Sequence, residues 1–392
     1  MKKTIFVLLL VIGAIFLSGC EQEANQQTIK IVTSHPMRSI FQGQNIVSGI
    51  KMALEEVNYK VGDYKIELVV EDDGNENGQW QADLEEQIAK RAVANPDVMI
   101  YIGTLNSGAA KISIPITNKG ELAQLSVANT WPGLTKPGFA PGEPGIFYPT
   151  GIRNYFRICA TDSDQGPLAA VWVKEMGFQN IYILDDGEAF GKGVANLFNQ
   201  KAIEIGLNVL GQKTIDKTSQ DLTEELNKIK DLDVDMIYFG GMAANGAIPL
   251  AKGIKQLGMK AKFMGPDGVM DQSFIDGAGE AAEGAYVTVV GMPPKELTGE
   301  GKVFFDKYTQ KYGKEPETYA DAGYEVARVV MQAIERAGVK DRAKILEEIS
   351  KTKDYQGFTG EWSFTQEGDT TNPVLSGNKV VNGAFAFEKV LI

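Results

Sequence analysis

Few residues in this chain are equipped for covalent or metal chemistry. It has one histidine, His35, just past the first apolar run, and two cysteines, Cys20 and Cys159, far apart. No Gly-x-Ser-x-Gly elbow occurs, so a Ser-His-Asp arrangement lacks its nucleophile. Zinc needs clustered His and Cys ligands, and this spacing provides no cluster. His35 therefore reads as a loop histidine without a catalytic task. Cys159 stands in Tyr155-Phe-Arg-Ile-Cys-Ala160, a strand-like run where a thiol serves as a small buried hydrophobe. What remains is non-covalent chemistry: hydroxyls, free backbone N–H groups and single acids held in turns.

Two cofactor motifs are approached and missed. Asp73-Gly-Asn75-Glu-Asn77-Gly78 imitates the start of a calcium loop, but the position that needs a bidentate Glu is Leu84. A strand-to-helix turn with Asx caps fits that stretch better. Asp185-Asp-Gly187-Glu-Ala-Phe190-Gly191-Lys-Gly193 has the setting of a dinucleotide fingerprint, yet its third glycine falls on Asn196 and no Gly-Lys-Ser/Thr follows. The turn lifts Phe190 to a sheet edge, where it is either a ligand wall or a core aromatic. Asp267, directly after Gly265-Pro266, is either an acid for an ammonium group or the brace of its own turn. No metal or cofactor is expected.

The elements that position these residues alternate. Val98 to Gly103 reads as a buried strand, Ser107 to Lys119 as a helix, and Leu122 to Thr130 as a second strand ending in small polar residues. In an open α/β sheet the carboxyl ends of strands form the ligand edge. Two such edges, Gly103 to Gly108 and Ser126 to Thr130, therefore fall close together, and hydroxyls with free N–H groups at a helix start suit a carboxylate. The same alternation runs from Thr28 to Gly265 and predicts helices at 45–57, 79–93, 163–176, 191–205, 222–230 and 245–257. It implies an α/β protein of two Rossmann-like lobes with parallel sheets. It breaks at Trp131 to Asn154, which is dense in Pro and Gly, a long loop of the kind that is functional or a lid. Helices at 300–312, 319–337 and 341–349 bring no strands and must pack on a lobe already built; strands follow at 358–364 and 384–390. Crossings near 161, 291 and 351 make a three-strand hinge.

Composition agrees with a two-domain soluble chain: 392 residues, 43% of them hydrophobic. The net charge of -12 and the lack of a basic patch exclude nucleic acid as a partner. The amino terminus is a separate object. Lys2 and Lys3 precede an apolar run from Ile5 to Leu17, too short to span a membrane, and then Leu17-Ser18-Gly19-Cys20. That tetrapeptide resembles a bacterial lipobox, which would make Cys20 the acylated first residue and hold the protein on the outer side of a membrane.

The order of these strings resembles a known family. Ile102-Gly-Thr-Leu-Asn-Ser107, Ser126-Val-Ala-Asn-Thr130, Asp162-Ser-Asp-Gln-Gly-Pro167, Phe190-Gly-x-Gly193, Tyr238-Phe-Gly-Gly241 and Phe263-Met-Gly-Pro-Asp-Gly268 resemble the substrate-binding proteins of branched-chain amino-acid ABC transporters, of the leucine/isoleucine/valine type. The resemblance implies the type I periplasmic-binding-protein fold, no enzymatic activity, a small-molecule amino-acid ligand, a membrane permease as partner and a monomer. It places the ligand carboxylate on Ser107, Ala128 and Thr130, the ammonium on that loop and Asp267, and aromatics at Phe190 and Tyr319. Asp267 stands where the familiar members carry Glu, and Gln42 and Met242 where tyrosine is common, so an amide or other small polar ligand, sensed by a receptor-type binding protein, is the alternative. The expected organisation is a lipoprotein signal peptide at 1–19, a tether at 20–27, lobe 1 from 28–161 with 291–350, and lobe 2 from 162–290 with 351–392.

Overall fold

The computed structural model describes residues 27–392; the expected signal peptide, Cys20 and the tether as far as residue 26 lie outside the described residues. The first lobe opens with β1 (Thr28–Ser34), α1 (Gln42–Glu56), β2 (Lys60–Val61), β3 (Tyr64–Glu71), α2 (Ala82–Ala94), β4 (Val98–Gly103), α3 (Ser107–Lys119), β5 (Ala123–Ser126) and β6 (Tyr155–Arg157). Its sheet runs β2-β3-β1-β4-β5-β6, parallel except for the β2 edge. The side-chain alternation of a strand decides the layers. Ile29 and Ile31 of β1 pack with Ile46 and Ile50 of α1, while Val32, the next residue, joins Ile88 and Ala92 of α2 on the other side.

The second lobe continues with α4 (Asp162–Glu175), β7 (Asn180–Asp185), α5 (Ala189–Glu204), β8 (Asn208–Thr214), α6 (Thr223–Asn227), β9 (Met236–Gly240), α7 (Ala247–Gln256), β10 (Lys262–Gly265), α8 (Gln272–Ala278) and β11 (Tyr286–Val290). The chain then returns to lobe 1 as α9 (Glu300–Tyr312), α10 (Ala320–Ala337) and α11 (Arg342–Ser350), followed by β12 (Tyr355–Gly357), β13 (Gly360–Trp362), β14 (Leu375–Val381) and β15 (Ala384–Leu391). The second sheet runs β15-β14-β11-β10-β9-β7-β8, with β14 and β15 antiparallel to their neighbours. The late helices dock through glycine. A Cβ on Gly49 of α1 would meet the Ala320 carbonyl oxygen at 1.9 Å, and one on Gly323 would meet that of Ile46 at 2.3 Å.

The structure changes several expectations. The strand expected to reach Thr130 stops at Ser126, whose Oγ accepts from the N–H groups of Ala128 and Asn129 and turns the chain. The strand expected over 358–364 is instead the hairpin β12–β13, turned at Gly360, where φ is +124°. That hairpin sits on lobe 1: Trp362 Nε1 and the Phe358 N–H both donate to Glu325 of α10. The stretch 351–392, expected wholly in lobe 2, is thus divided, and the third crossing moves from 351 to about Asn372–Val374, where the Gly291 N–H meets the Val374 carbonyl. The loop at 131–154 is not an open flap. It folds two short 3-10 turns and buries Trp131, Leu134, Phe147 and Tyr148 against Ala110 and Ile114 of α3. No helix among the described residues is long and apolar enough to cross a membrane.

Candidate functional site

The carboxyl ends of both sheets face one cleft, and helix starts line it. On lobe 1, α3 begins at Ser107 with no side chain capping its first turn, so its N–H groups point into the cleft. The Ser107 Oγ accepts from the Trp131 N–H at 3.2 Å, leaving its own proton to donate. Asn129 holds this floor rigid, its amide donating to the Thr104 and Leu105 carbonyls at 2.8 and 3.0 Å. From lobe 2, Asp267 arrives on the turn after β10. Between them lies a small pocket lined by Gln42, Leu105, Asn106, Ser107, Ala128, Phe190, Met242 and Asp267. Its chemistry is split: hydroxyl and N–H donors on one side, a carboxylate on the other, and Leu105, Ala128, Phe190 and Met242 between.

Asp267 is 4% exposed, and burial pushes its carboxyl up to about 6, an effect reduced by the hydroxyl of Tyr319. Tyr319 donates its phenol to Asp267 Oδ2. It does so from a left-handed backbone, φ +72°, a costly conformation for a bulky residue that is retained where the surroundings require it. The second oxygen, Asp267 Oδ1, has no partner, and neither has the hydroxyl of the fully buried Thr130.

Of the residues expected at the site, Ser107, Ala128, Asp267, Phe190, Met242 and Gln42 line this pocket. Thr130 and Tyr319 are not in its lining; Tyr319 instead lines a second, larger pocket at the hinge. Gln42 does more than line the wall: its amide donates across the cleft to the carbonyls of Asp267 at 2.8 Å and Met270 at 3.2 Å. Sequence reasoning missed Asp271. Its Oδ1 caps α8 through the Ser273 N–H, and its Oδ2 accepts from the Phe41 and Gln42 N–H groups at 2.8 and 2.9 Å, capping α1 of the other lobe. Trp80 Nε1 donates to Glu188 Oε2 at 3.2 Å, and Gln79 reaches the Ala244 carbonyl. The lobes are therefore closed on each other.

The groups set aside from the sequence have structural duties. His35 is buried with Nε2 against the Thr33 hydroxyl, and burial lowers its pKa to about 3, so it is neutral. Burial lifts the Cys159 thiol to about 12, far from nucleophilic. Asn75 Oδ1 accepts from the N–H groups of Asn77 and Gln79, which makes the calcium-like string a turn.

Known proteins resemble this chain in sequence and fold. A leucine-, isoleucine-, valine-, threonine- and alanine-binding protein of Pseudomonas aeruginosa is 26% identical over 352 residues, 88% of each chain. The crystal structure of a leucine binding protein from Thermotoga maritima superposes with a TM-score of 0.82 at 28% identity, covering 93% of this chain and 98% of that one. A branched-chain amino-acid transporter substrate-binding protein from Streptococcus pneumoniae, in complex with isoleucine, gives a TM-score of 0.81 at 24% identity over 93% and 99% of the two chains, a likeness of fold. Residues 28–376 match the sequence family described as periplasmic binding protein. The two-lobed fold, the cleft between its sheet edges and this match agree, and the chain belongs to the periplasmic binding protein family.

Proposed function

We propose that this protein captures an L-α-amino acid with an aliphatic side chain between its lobes and delivers it to an ABC permease, held at the outer face of a membrane by acylation at Cys20. One observation carries the reading: a pocket at the lobe interface sets a helix N-terminus with Ser107 against a buried carboxylate, Asp267, across an apolar gap. A carboxylate on α3 and an ammonium on Asp267 satisfy both poles, while Leu105, Phe190 and Met242 receive a hydrocarbon side chain. A carboxylic acid without the amine leaves Asp267 buried with no cation, so it binds weakly. Because the ligand bridges the lobes, it favours the closed arrangement, and that shape is the one a permease distinguishes. The names of the relatives support the same ligand class.

A thermal-shift screen across amino acids, amides and small acids tests this. Leucine, isoleucine or valine raises the melting temperature saturably, as a ligand of the native state must. Stabilisation by amides or simple acids, with no response to any amino acid, refutes it.

A further inference from the structure

The loop at 131–154 carries more internal order than a link between β5 and β6 requires, and that order converges on Trp131. The Trp131 N–H donates to the Ser107 Oγ at 3.2 Å, and its carbonyl accepts from Arg157 at 2.8 Å. The indole Nε1 donates to Glu143 Oε2 at 2.8 Å. Lys111 donates to the other oxygen of that carboxylate at 2.7 Å, and its ammonium stands over the indole, 4.9 Å from the ring centre. Phe139 meets the ring edge-on at 5.7 Å. A glycine permits this approach, since a Cβ on Gly133 would stand 1.9 Å from Glu143 Oε2. An indole fixed at its donor, its face and its edge has one place to stand.

That place is against the other lobe. A Cβ on Gly193 of α5 would stand 2.3 Å from the Trp131 ring, so the ring lies directly on the helix backbone. A second tryptophan of lobe 1 reaches the same helix at its start. Trp80 donates its Nε1 at 3.2 Å to Oε2 of Glu188, the residue that precedes α5, and its ring lies on the first turn of α3, where a Cβ on Gly108 would meet it at 2.6 Å. The two contacts, at Glu188 and Gly193, are about 7.5 Å apart along the helix axis. One contact would leave the helix free to pivot; two set both its position and its rotation. Between them stands Phe190, three residues before Gly193 and so on nearly the same face, and it is the residue of α5 that lines the pocket. Both tryptophans are also tied to the start of α3, Trp80 through Gly108 and Trp131 through Ser107. The pocket wall on lobe 2 is thereby held in register with the helix N-terminus on lobe 1.

We infer that Trp80 and Trp131 are positioning residues that bracket α5 as the lobes meet and set how far Phe190 enters the pocket, so that the loop at 131–154 grades ligands by the length of their side chain. The inference rests on the amino-acid reading and names what tunes it. Titration calorimetry with L-alanine, L-valine and L-leucine tests it on the wild type and on two variants that act from opposite sides of the contact: Glu143→Ala, which releases the indole, and Gly193→Ala, which pushes α5 away from it. When Phe190 withdraws, the longest side chain loses the most contact. In both variants leucine therefore loses more affinity than valine, and valine more than alanine, with roughly 10-fold between the extremes in Gly193→Ala. An equal loss for the three ligands, or no loss, overturns the inference, since a contact that only favours closure costs every ligand alike. A Phe190→Ala background decides independently of how Glu143→Ala folds: there Gly193→Ala lowers the three affinities by one common factor if the bracket acts through Phe190, and by unequal factors if it does not. A wild type that binds none of the three refutes the underlying reading and the inference with it; wild-type binding with equal losses in the variants refutes only the inference.

Discussion

Replacing Asp271 with alanine separates closure from ligand contact. The carboxylate does not line the pocket, yet its Oδ2 takes two backbone N–H groups, Phe41 and Gln42, from the opposite lobe. The α1 N-terminus has no side-chain cap within its own lobe, so these bonds exist only when the cleft is shut. Hydrogen bonds to a charged group contribute about 1.5–3 kcal/mol each, and two that share one oxygen fall short of additive. A loss of about 2–3 kcal/mol from the closed form alone follows, which lowers affinity roughly 30- to 150-fold. The Asp271 cap on α8 is lost as well, costing about 1 kcal/mol, but it is present in both forms and cancels from binding. Titration calorimetry with leucine, isoleucine and valine should show one common factor for all three, carried by faster dissociation in stopped-flow fluorescence. Affinities within about threefold of wild type, or a changed order among the ligands, refute the latch.

Asp267 makes binding depend on pH. Its carboxyl must be ionised to receive an ammonium, and burial holds it at about 6, so leucine affinity is full above that value and falls as pH drops through it; calorimetry from pH 8 to 5 that shows no decline contradicts the assignment. Gly193 of α5 lies against Trp131 of the other lobe, where a Cβ would stand 2.3 Å from the ring. Gly193→Ala is expected to weaken every ligand by roughly 5- to 150-fold while the ligand-free melting temperature holds or rises, since alanine is the better helix former; a fall in melting with intact binding contradicts this. Glu85, buried beneath the β1 edge, accepts from Ser34 and Tyr101, and burial raises its carboxyl from 4.5 to about 7. The folded protein then keeps a proton that the unfolded chain has already released, so stability falls as pH rises through that window. Glu85→Gln, which cannot ionise, should melt above wild type at pH 8, with the gap closing toward pH 5; a gap independent of pH excludes this account.

Strands built from continuous apolar runs, such as Val98–Gly103 and Met236–Gly240, were legible because a central parallel strand is buried on both faces. The strand Leu375–Val381 was not: Ser376 and Asn378 interrupt its apolar run, yet both are fully buried where the strand pairs with β11 and β15. Seven residues of α8 are too few to display a helical period. At the site, Ser107, Ala128, Phe190, Met242 and Asp267 were legible because they stand at strand ends, and topology alone carries those to the cleft. Asp271 looks like any acid at a helix start; only the approach of the other lobe gives it partners across the cleft.

Asp271 and Asp267 act differently on closure. Asp271 finds its partners in the protein whenever the lobes meet, so it favours closing regardless of ligand. Asp267 acquires no protein cation on closing, because Arg157, the one buried arginine or lysine among the described residues, is already committed to Asp369 and to backbone carbonyls. Burying an ionised carboxylate without a counter-charge is costly, so Asp267 opposes closure in the absence of ligand. An ammonium removes that opposition and a bare carboxylate does not. Selectivity for the amine and control of the lobe equilibrium are therefore linked: removing the Asp267 charge should ease closure without ligand, and removing the latch should make even the right ligand close the lobes poorly.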